Sequence, residues 1–164
     1  VICFCLVQTL YGSYLILRLR KLRLKEQLRS LCIRLLLLGL IEAGLAAAEL
    51  SADGGMDLLS AFAGYSMAML LANVIDAWRL YLLEKKLPEA VVFQKVPLLL
   101  PLGLTLFLGC DLCVGLYNAA GYLAGMESIS AIAYGLIWWF YLPSQALLTL
   151  FSLRMMTAAK DLER

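Results

Sequence analysis

The chain of 164 residues has the length of one ordinary domain, but its composition is not that of a soluble one. Hydrophobic residues make up 63% of it and charged residues 16%, against roughly 45–50% and about 25% in soluble globular domains. In water, this apolar surplus would form surface patches that a soluble monomer does not tolerate. The net charge is +2, and the absence of histidine removes the commonest metal ligand and disfavours a haem or chlorophyll carrier. The composition predicts an integral membrane protein.

Five apolar stretches are long enough to cross the hydrocarbon core of a bilayer, which takes roughly 20 residues. Each is predicted to be a helix, because a helix satisfies its own backbone hydrogen bonds in lipid. The predicted fold is all-α, a polytopic helical membrane protein in which residues 1–164 form a single bundle of about five transmembrane helices. The predicted spans are 1–17, 31–50, 58–83, 96–118 and 129–153, followed by a polar C-terminal tail at 154–164.

Two local features affect the predicted first and fifth spans. Val1 already lies inside an apolar run, so we expect that earlier spans or targeting signals precede it in a longer polypeptide. Pro143 falls inside the fifth predicted span and is expected to kink it, because proline removes one backbone hydrogen bond of a helix.

Lysine and arginine are distributed unevenly among the links between spans. The first link, the third link and the tail are basic, whereas the second and fourth links contain no positive charge. Arg34 and Arg79 lie within about a turn of the basic ends, and we expect their side chains to reach toward that face. The positive-inside rule then places all 14 positive charges and the C-terminus on one face of the membrane.

The first link alternates leucines with positive charges and is predicted to lie along the lipid headgroups. Each lysine or arginine near an anionic leaflet contributes about 1 kcal/mol. The predicted contacts with anionic lipid are Arg18, Arg20, Lys21, Arg23, Lys25 and Arg29. Nucleic acid is the rival ligand, and we do not expect it because the segment is held between two spans.

Polar side chains inside the predicted spans are the first candidates for a functional site. They are Glu42, Glu49, Asn73, Asp76 and Asp111. A charge at the bilayer centre costs roughly 2.5–3.5 kcal/mol, so each should face the bundle or a partner. One interpretation is an ion, proton or solute path through Glu42 and Asp111. The favoured interpretation is contact between helices, with Arg34 or a neighbouring subunit as a partner, because the acids do not share one depth.

Asp76 and Arg79 are expected to form an ordinary i,i+3 pair near the membrane interface. Small residues at four-residue spacing predict close helix packing, within the chain or against another one. These residues are Gly44 and Ala48, then Gly64, Ala68 and Ala72, and finally Gly121 and Gly125.

Two further patterns carry weaker signals. Cys110 and Cys113 have the spacing of a redox or metal pair, but they lie in mid-span without histidine, so we expect them to pack helices. The aromatic run from Trp138 to Tyr141 falls near the centre of the fifth span. That position favours a protein contact, or a platform for pigment or lipid, over an interfacial belt.

Two passages resemble the peroxin-eleven family of peroxisomal membrane-elongation proteins. In the third span, the passage that contains Asn73, Asp76-Ala77-Trp78 and Leu82-Leu83-Glu84 is similar to the family's Asn, Asp-Ala-aromatic and Leu-Leu-x-Glu pattern. In the fourth span, the segment from Cys110 to Leu116, followed by a glycine-containing turn and a last hydrophobic helix, is similar to its C-terminal part. The resemblance implies scaffolding or membrane shaping rather than catalysis.

The sequence contains no histidine-based dyad, nucleophile elbow or phosphate-binding loop, so we do not expect an enzyme. The leading hypothesis is a structural or accessory subunit of a membrane complex, or a membrane-shaping scaffold. A small transporter or channel that uses the intramembrane acids is the first alternative. A pigment- or lipid-binding subunit of an energy-converting complex is the second.

The expected partners are membrane lipids and other transmembrane subunits or further copies of the chain, and not nucleic acid. No cofactor is expected apart from bound lipid, with pigment left open. We expect the protein in an organelle membrane, and the sequence does not indicate which one.

Overall fold

The computed structural model describes residues 2–51, 58–87, 96–120 and 127–162. Five α-helices make up nearly all of these ranges, and no strand occurs within them. The helices are α1 (Ile2–Leu22), α2 (Leu24–Ser51), α3 (Leu58–Lys86), α4 (Leu99–Ala120) and α5 (Glu127–Leu162). The predicted all-α fold is confirmed.

All five helices contain a segment that is long and apolar enough to cross a membrane. These segments are Ile2–Leu22, Leu24–Ala47, Ser60–Lys86, Leu99–Asn118 and Glu127–Thr157. Many of their large apolar side chains point outward, as Leu35 does with 71% of its surface exposed. Lipid acyl chains are the solvent that accepts such a surface, so the architecture is compatible with an integral membrane location.

The basic segment predicted as the first link is itself helical. α1 continues through Lys21 and α2 begins at Leu24, which leaves Arg23 alone between the two helices. The Arg23 N–H donates to the Leu19 carbonyl, and the Glu26 N–H donates to the Arg23 carbonyl, both at 3.0 Å. Gly12 and Arg34, which are equally far from Arg23 along the chain, lie in contact, so the chain reverses at this break and α1 and α2 form an antiparallel hairpin.

The fifth helix is longer than the span predicted for it. α5 continues past Arg154 to Leu162, so the predicted polar tail is helical as far as the structure describes it. Pro143 lies within this helix, and the Ser144 hydroxyl donates to the Tyr141 carbonyl at 2.8 Å. The kink at Pro143 stays a prediction.

The chain divides into two compact units, Val1–Leu83 and Glu84–Arg164. The first unit contains α1, α2 and most of α3, and the second contains α4 and α5. The expectation that all five helices form one bundle stays a prediction. The first unit has a leucine and alanine core, whose fully buried members include Leu15, Leu19, Leu70, Ala77 and Leu80.

Glycines set the close packing of α4 on α5 in the second unit. A Cβ atom at Gly103 would lie 2.9 Å from Leu148, and one at Gly109 would lie 2.9 Å from Phe140. Both distances are shorter than a normal carbon–carbon contact, so a larger residue at either position requires the facing side chain to shift or α5 to move away. In the same unit, the buried Glu84 carboxylate accepts a hydrogen bond from the Val96 N–H, which joins the end of α3 to the segment before α4.

Candidate functional site

A set of polar side chains lies buried between the three helices of the first unit. We name it the buried charge network, and it takes one residue from α1 and three each from α2 and α3. Its members are Gln8, Glu26, Ser30, Arg34, Asn73, Asp76 and Arg79. Four of the seven are fully buried, and Arg34 is 6% exposed. Burial of so many polar groups is tolerated only when they bond to one another.

The helices bring these residues together through simple periodicity. On α2 the members recur every four residues, and on α3 every three, so each set lies along one face of its helix. Gly12 and Arg34 are each eleven positions from Arg23 in the hairpin turn, and they lie in contact at the same level. The hairpin thereby presents α1 and α2 side by side to α3.

Asp76 is the central acceptor of the network. Its Oδ2 atom accepts hydrogen bonds from Arg34 Nη2 at 2.9 Å and from the Ser30 hydroxyl. Its Oδ1 atom accepts one from Arg79 Nη1 at 2.8 Å. The other end of the Arg79 guanidinium binds the Glu26 carboxylate at 2.5 Å. Two arginines therefore face two carboxylates, and the formal charge of the network is zero.

Asn73 connects this ion-pair system to α1. Its Oδ1 atom accepts a hydrogen bond from Arg34 Nη1 at 2.8 Å, and its Nδ2 donates to the backbone carbonyl and to the side-chain Oε1 of Gln8, each at 2.9 Å. The orientation of the Asn73 amide is fixed, because arginine can only donate and a backbone carbonyl can only accept. The amide therefore joins all three helices.

Gly12 allows α1 to approach the network closely. A Cβ atom at this position would lie 2.9 Å from Arg34 Nη1 and 3.1 Å from Asn73 Oδ1. Both contacts are shorter than van der Waals separation. A side chain here would displace the guanidinium from its hydrogen bonds, so the glycine is required by the network and not by backbone conformation.

Among the described residues, Gln8 Nε2, Arg34 Nε and Glu42 Oε2 are buried polar atoms without a hydrogen-bond partner. Glu42 lies apart from the ion pairs, where its carboxylate packs on Gly64 and would lie 2.8 Å from a Cβ atom there. Within the described ranges, no group of three or more His, Cys, Asp or Glu residues is arranged to hold a metal ion.

No family model, curated protein or solved structure matches this chain.

The structure places the sequence-predicted polar residues in different surroundings. Asn73 and Asp76 lie in the buried charge network, and the i,i+3 pair of Asp76 with Arg79 is present. Asp111 is half-buried on α4 in the second unit. The side chain of Glu49 lies outside the described part of the chain.

The expectation that Arg34 reaches toward the basic face is wrong. Its guanidinium is buried and pairs with Asp76 and Asn73 inside the first unit. The favoured interpretation, contact between helices with Arg34 as a partner, holds for Asp76, whereas Glu42 and Asp111 have no described ion pair with Arg34. The physical reason is that Asp76 lies at the same level of the hairpin as Arg34. An unpaired buried carboxylate costs more free energy than the loss of a contact between Arg34 and the solvated headgroups.

Predicted packing residues also divide into several groups. Ala68 and Ala72 are fully buried, and Gly64 is closely packed against Leu45 and Glu42 of α2. Gly44 is exposed, and a Cβ atom there would meet nothing within 4 Å. The side chain of Ala48, and the pair Gly121 and Gly125, lie outside the described residues.

The cysteine pair, the aromatic run and the predicted lipid contacts differ in burial. Cys110 is buried and Cys113 half-buried, and both are free thiols on α4. Trp138 and Trp139 are exposed on α5. Of the predicted lipid contacts, Arg18 is half-buried, whereas Arg20, Lys21, Arg23, Lys25 and Arg29 are exposed.

Sequence reasoning missed Gln8, Gly12, Glu26 and Ser30. Gln8 carries the only amide in an otherwise apolar first span, and an isolated amide in lipid implies a polar partner on another helix. Glu26, Ser30 and Arg34 form a polar stripe at four-residue spacing, which also could have been recognised. No sequence signal distinguishes Gly12 from the glycines that lie in open space.

Proposed function

We propose that this chain is a non-enzymatic integral membrane protein that acts as a structural or accessory subunit of a membrane complex, or as a membrane-shaping scaffold. The observation that supports this most is that the positive and negative charges of the buried charge network cancel within the network. Two arginines and two carboxylates satisfy each other within one unit. The charged side chains most deeply buried in the first unit therefore fix helices in place.

A fully connected polar network favours one arrangement of its helices. Every member is hydrogen-bonded to a residue of another helix. Sliding one helix along its neighbours would therefore break several hydrogen bonds at once. A transport site needs charged groups that can exchange partners during the cycle. Arg34, Asp76 and Arg79 hold one another instead, which supports a rigid structural element.

The outward face of α2 offers a surface for neighbours in the membrane. Leu35, Leu36 and Leu40 are all exposed, and Gly39 and Gly44 beside them open onto free space. Lipid accepts the leucines, and glycines let another helix approach closely. This face supports lateral assembly with further copies of the chain or with other transmembrane subunits.

Association in mild detergent tests the proposal. We expect the purified chain to form an oligomer or to retain a partner chain in size-exclusion chromatography with light scattering. Replacing Gly39 and Gly44 by leucine should weaken that association by at least about tenfold, which corresponds to roughly 1.4 kcal/mol. Leu36→Ile, on the same helix, is the matched control and should leave it unchanged. A stable wild-type monomer that retains no partner would overturn the proposal.

The location and orientation belong to the same proposal. The basic hairpin turn and the C-terminal end of α5 would lie on the inner face, in keeping with the positive-inside rule. We further propose an organelle membrane, in keeping with the resemblance to the peroxin-eleven family. Membrane shaping is the form of scaffolding that this resemblance favours.

A small transporter or channel is the second candidate, and one observation favours it. Glu42 has a buried carboxylate oxygen without a hydrogen-bond partner among the described residues. If Glu42 and Asp111 carry ions or protons, flux into liposomes should be at least about tenfold slower in the double variant Glu42→Gln/Asp111→Asn than in the wild type. A tenfold change in rate corresponds to roughly 1.4 kcal/mol in the barrier. The helical circular dichroism of the variant should not change. Flux that is absent in the wild type, or equal in the variant, excludes this candidate.

A further inference from the structure

The turn of the α1–α2 hairpin gathers unpaired positive charge. Five exposed cations lie within ten positions of each other on both sides of the break at Arg23, and we name them the basic tip. They are Arg20, Lys21, Arg23, Lys25 and Arg29. Because the two helices meet at one residue, the cations extend from a single compact end of the hairpin and not from a loose loop.

These cations differ from Arg34 and Arg79 in having no described counterion. The ion pairs of this unit involve Arg34 and Arg79, and the carboxylate closest in sequence to the tip, Glu26, is bound by Arg79. No described carboxylate lies within ion-pair distance of the five tip residues. The tip is therefore an uncompensated patch of about five positive charges.

Large apolar side chains stand between these charges. Leu24 is 64% exposed and Leu28 is 56% exposed, and both belong to the first two turns of α2. A surface that combines exposed leucines with cations suits the boundary between headgroups and acyl chains. The leucines enter the acyl region, while long basic side chains extend to the phosphates.

We propose that the basic tip binds the phosphate-bearing headgroups of anionic phospholipids in the leaflet that it faces. The occupant is a lipid surface, because charge complementarity requires several anions at once and the exposed leucines require an adjacent apolar phase. This proposal rests on the membrane location in the proposed function. It does not depend on whether the chain assembles with a partner.

The test measures lipid selectivity of the full chain in phosphatidylcholine bilayers. Electron paramagnetic resonance of spin-labelled phosphatidylserine and spin-labelled phosphatidylcholine gives the ratio of their association constants. We expect a ratio of at least about five, since one cation near an anionic surface is worth about that factor, and we expect the ratio to fall toward one when all five cations are changed to glutamine. Changing Arg20, Arg23 and Arg29 to lysine keeps the charge and should keep the ratio.

A second measurement uses the wild-type chain alone, so that its result does not depend on whether the glutamine variant folds. The ratio of the wild-type chain should fall toward one as salt is raised, because salt screens exposed charges. A wild-type ratio that does not change with salt overturns the proposal, as does an unchanged ratio in a folded glutamine variant. Displacement of the labelled lipid by a short oligonucleotide would assign the tip to nucleic acid instead. A wild-type monomer in detergent would refute the scaffold role alone and leave the lipid selectivity standing.

Discussion

Asp76→Leu is expected to lower the free energy of unfolding of the first unit by about 3–5 kcal/mol, because it removes one partner of a buried ion pair. Asp76 is the shared acceptor of Arg34, Arg79 and Ser30, and its side chain is fully buried. Without it, the Arg34 guanidinium keeps only its hydrogen bond to Asn73 Oδ1 and a long contact with the Met69 sulfur. An uncompensated cation would remain inside the helices.

The Cys5 thiol offers a local readout of this loss. It is buried in the first unit and donates to the Phe62 carbonyl at 3.4 Å. Alkylation of Cys5, followed by mass spectrometry across a titration with sodium dodecyl sulfate, reports when α1 separates from α3. Asp111→Leu is the control, since Asp111 is half-buried in the second unit and has no described ion pair. If Asp76→Leu exposes Cys5 no earlier than Asp111→Leu does, the network has no structural role.

Gly12→Leu is expected to destabilise the same unit by about 1–3 kcal/mol, the usual cost of overpacking. The first carbon of the new side chain would already lie 2.9 Å from Arg34 Nη1 and 3.1 Å from Asn73 Oδ1. The side chain can be accommodated only if α1 moves outward or if Arg34 leaves its hydrogen bonds. The same Cys5 alkylation measures the effect, because Cys5 lies on α1.

Gly39→Leu is the matched control for this substitution. The same side chain is introduced on α2, but a Cβ atom at Gly39 meets nothing within 4 Å. At a protein concentration where the chain is monomeric, the effect of Gly39→Leu on unfolding should be limited to helix propensity, which favours leucine over glycine. Equal destabilisation by the two variants would contradict the close packing of α1 against the network.

The fold could be predicted from hydropathy because the bilayer imposes one strong local rule. A run of about 20 apolar residues in lipid must be helical, and each of the five predicted spans overlaps a helix of the structure. The helix ends were harder to predict. α1 and α2 extend through the basic segment with only Arg23 between them, because leucine, arginine and lysine are all good helix formers.

The network could be predicted only in part, because hydropathy gives the depth of a residue and not its rotation about the helix. Asp76 and Arg79 are three residues apart on one helix, so their pairing follows from sequence. Arg34 is 42 positions from Asp76, and its direction depends on how the hairpin packs on α3. At the edge of a span, an arginine can extend to the headgroups or turn inward. A buried carboxylate at the same level decides between the two.

A double-mutant cycle on Arg34 and Asp76 measures whether the buried charge network holds the helices of the first unit together. The cycle compares Arg34→Leu, Asp76→Leu and the double variant, in which Glu26 and Arg79 still balance each other. We expect the double variant to be clearly more stable than the sum of the single losses predicts, with a coupling energy of about 1–3 kcal/mol, because contacting charged residues do not act independently. Strictly additive losses would show that the two side chains do not interact and that the buried charge network does not hold these helices together.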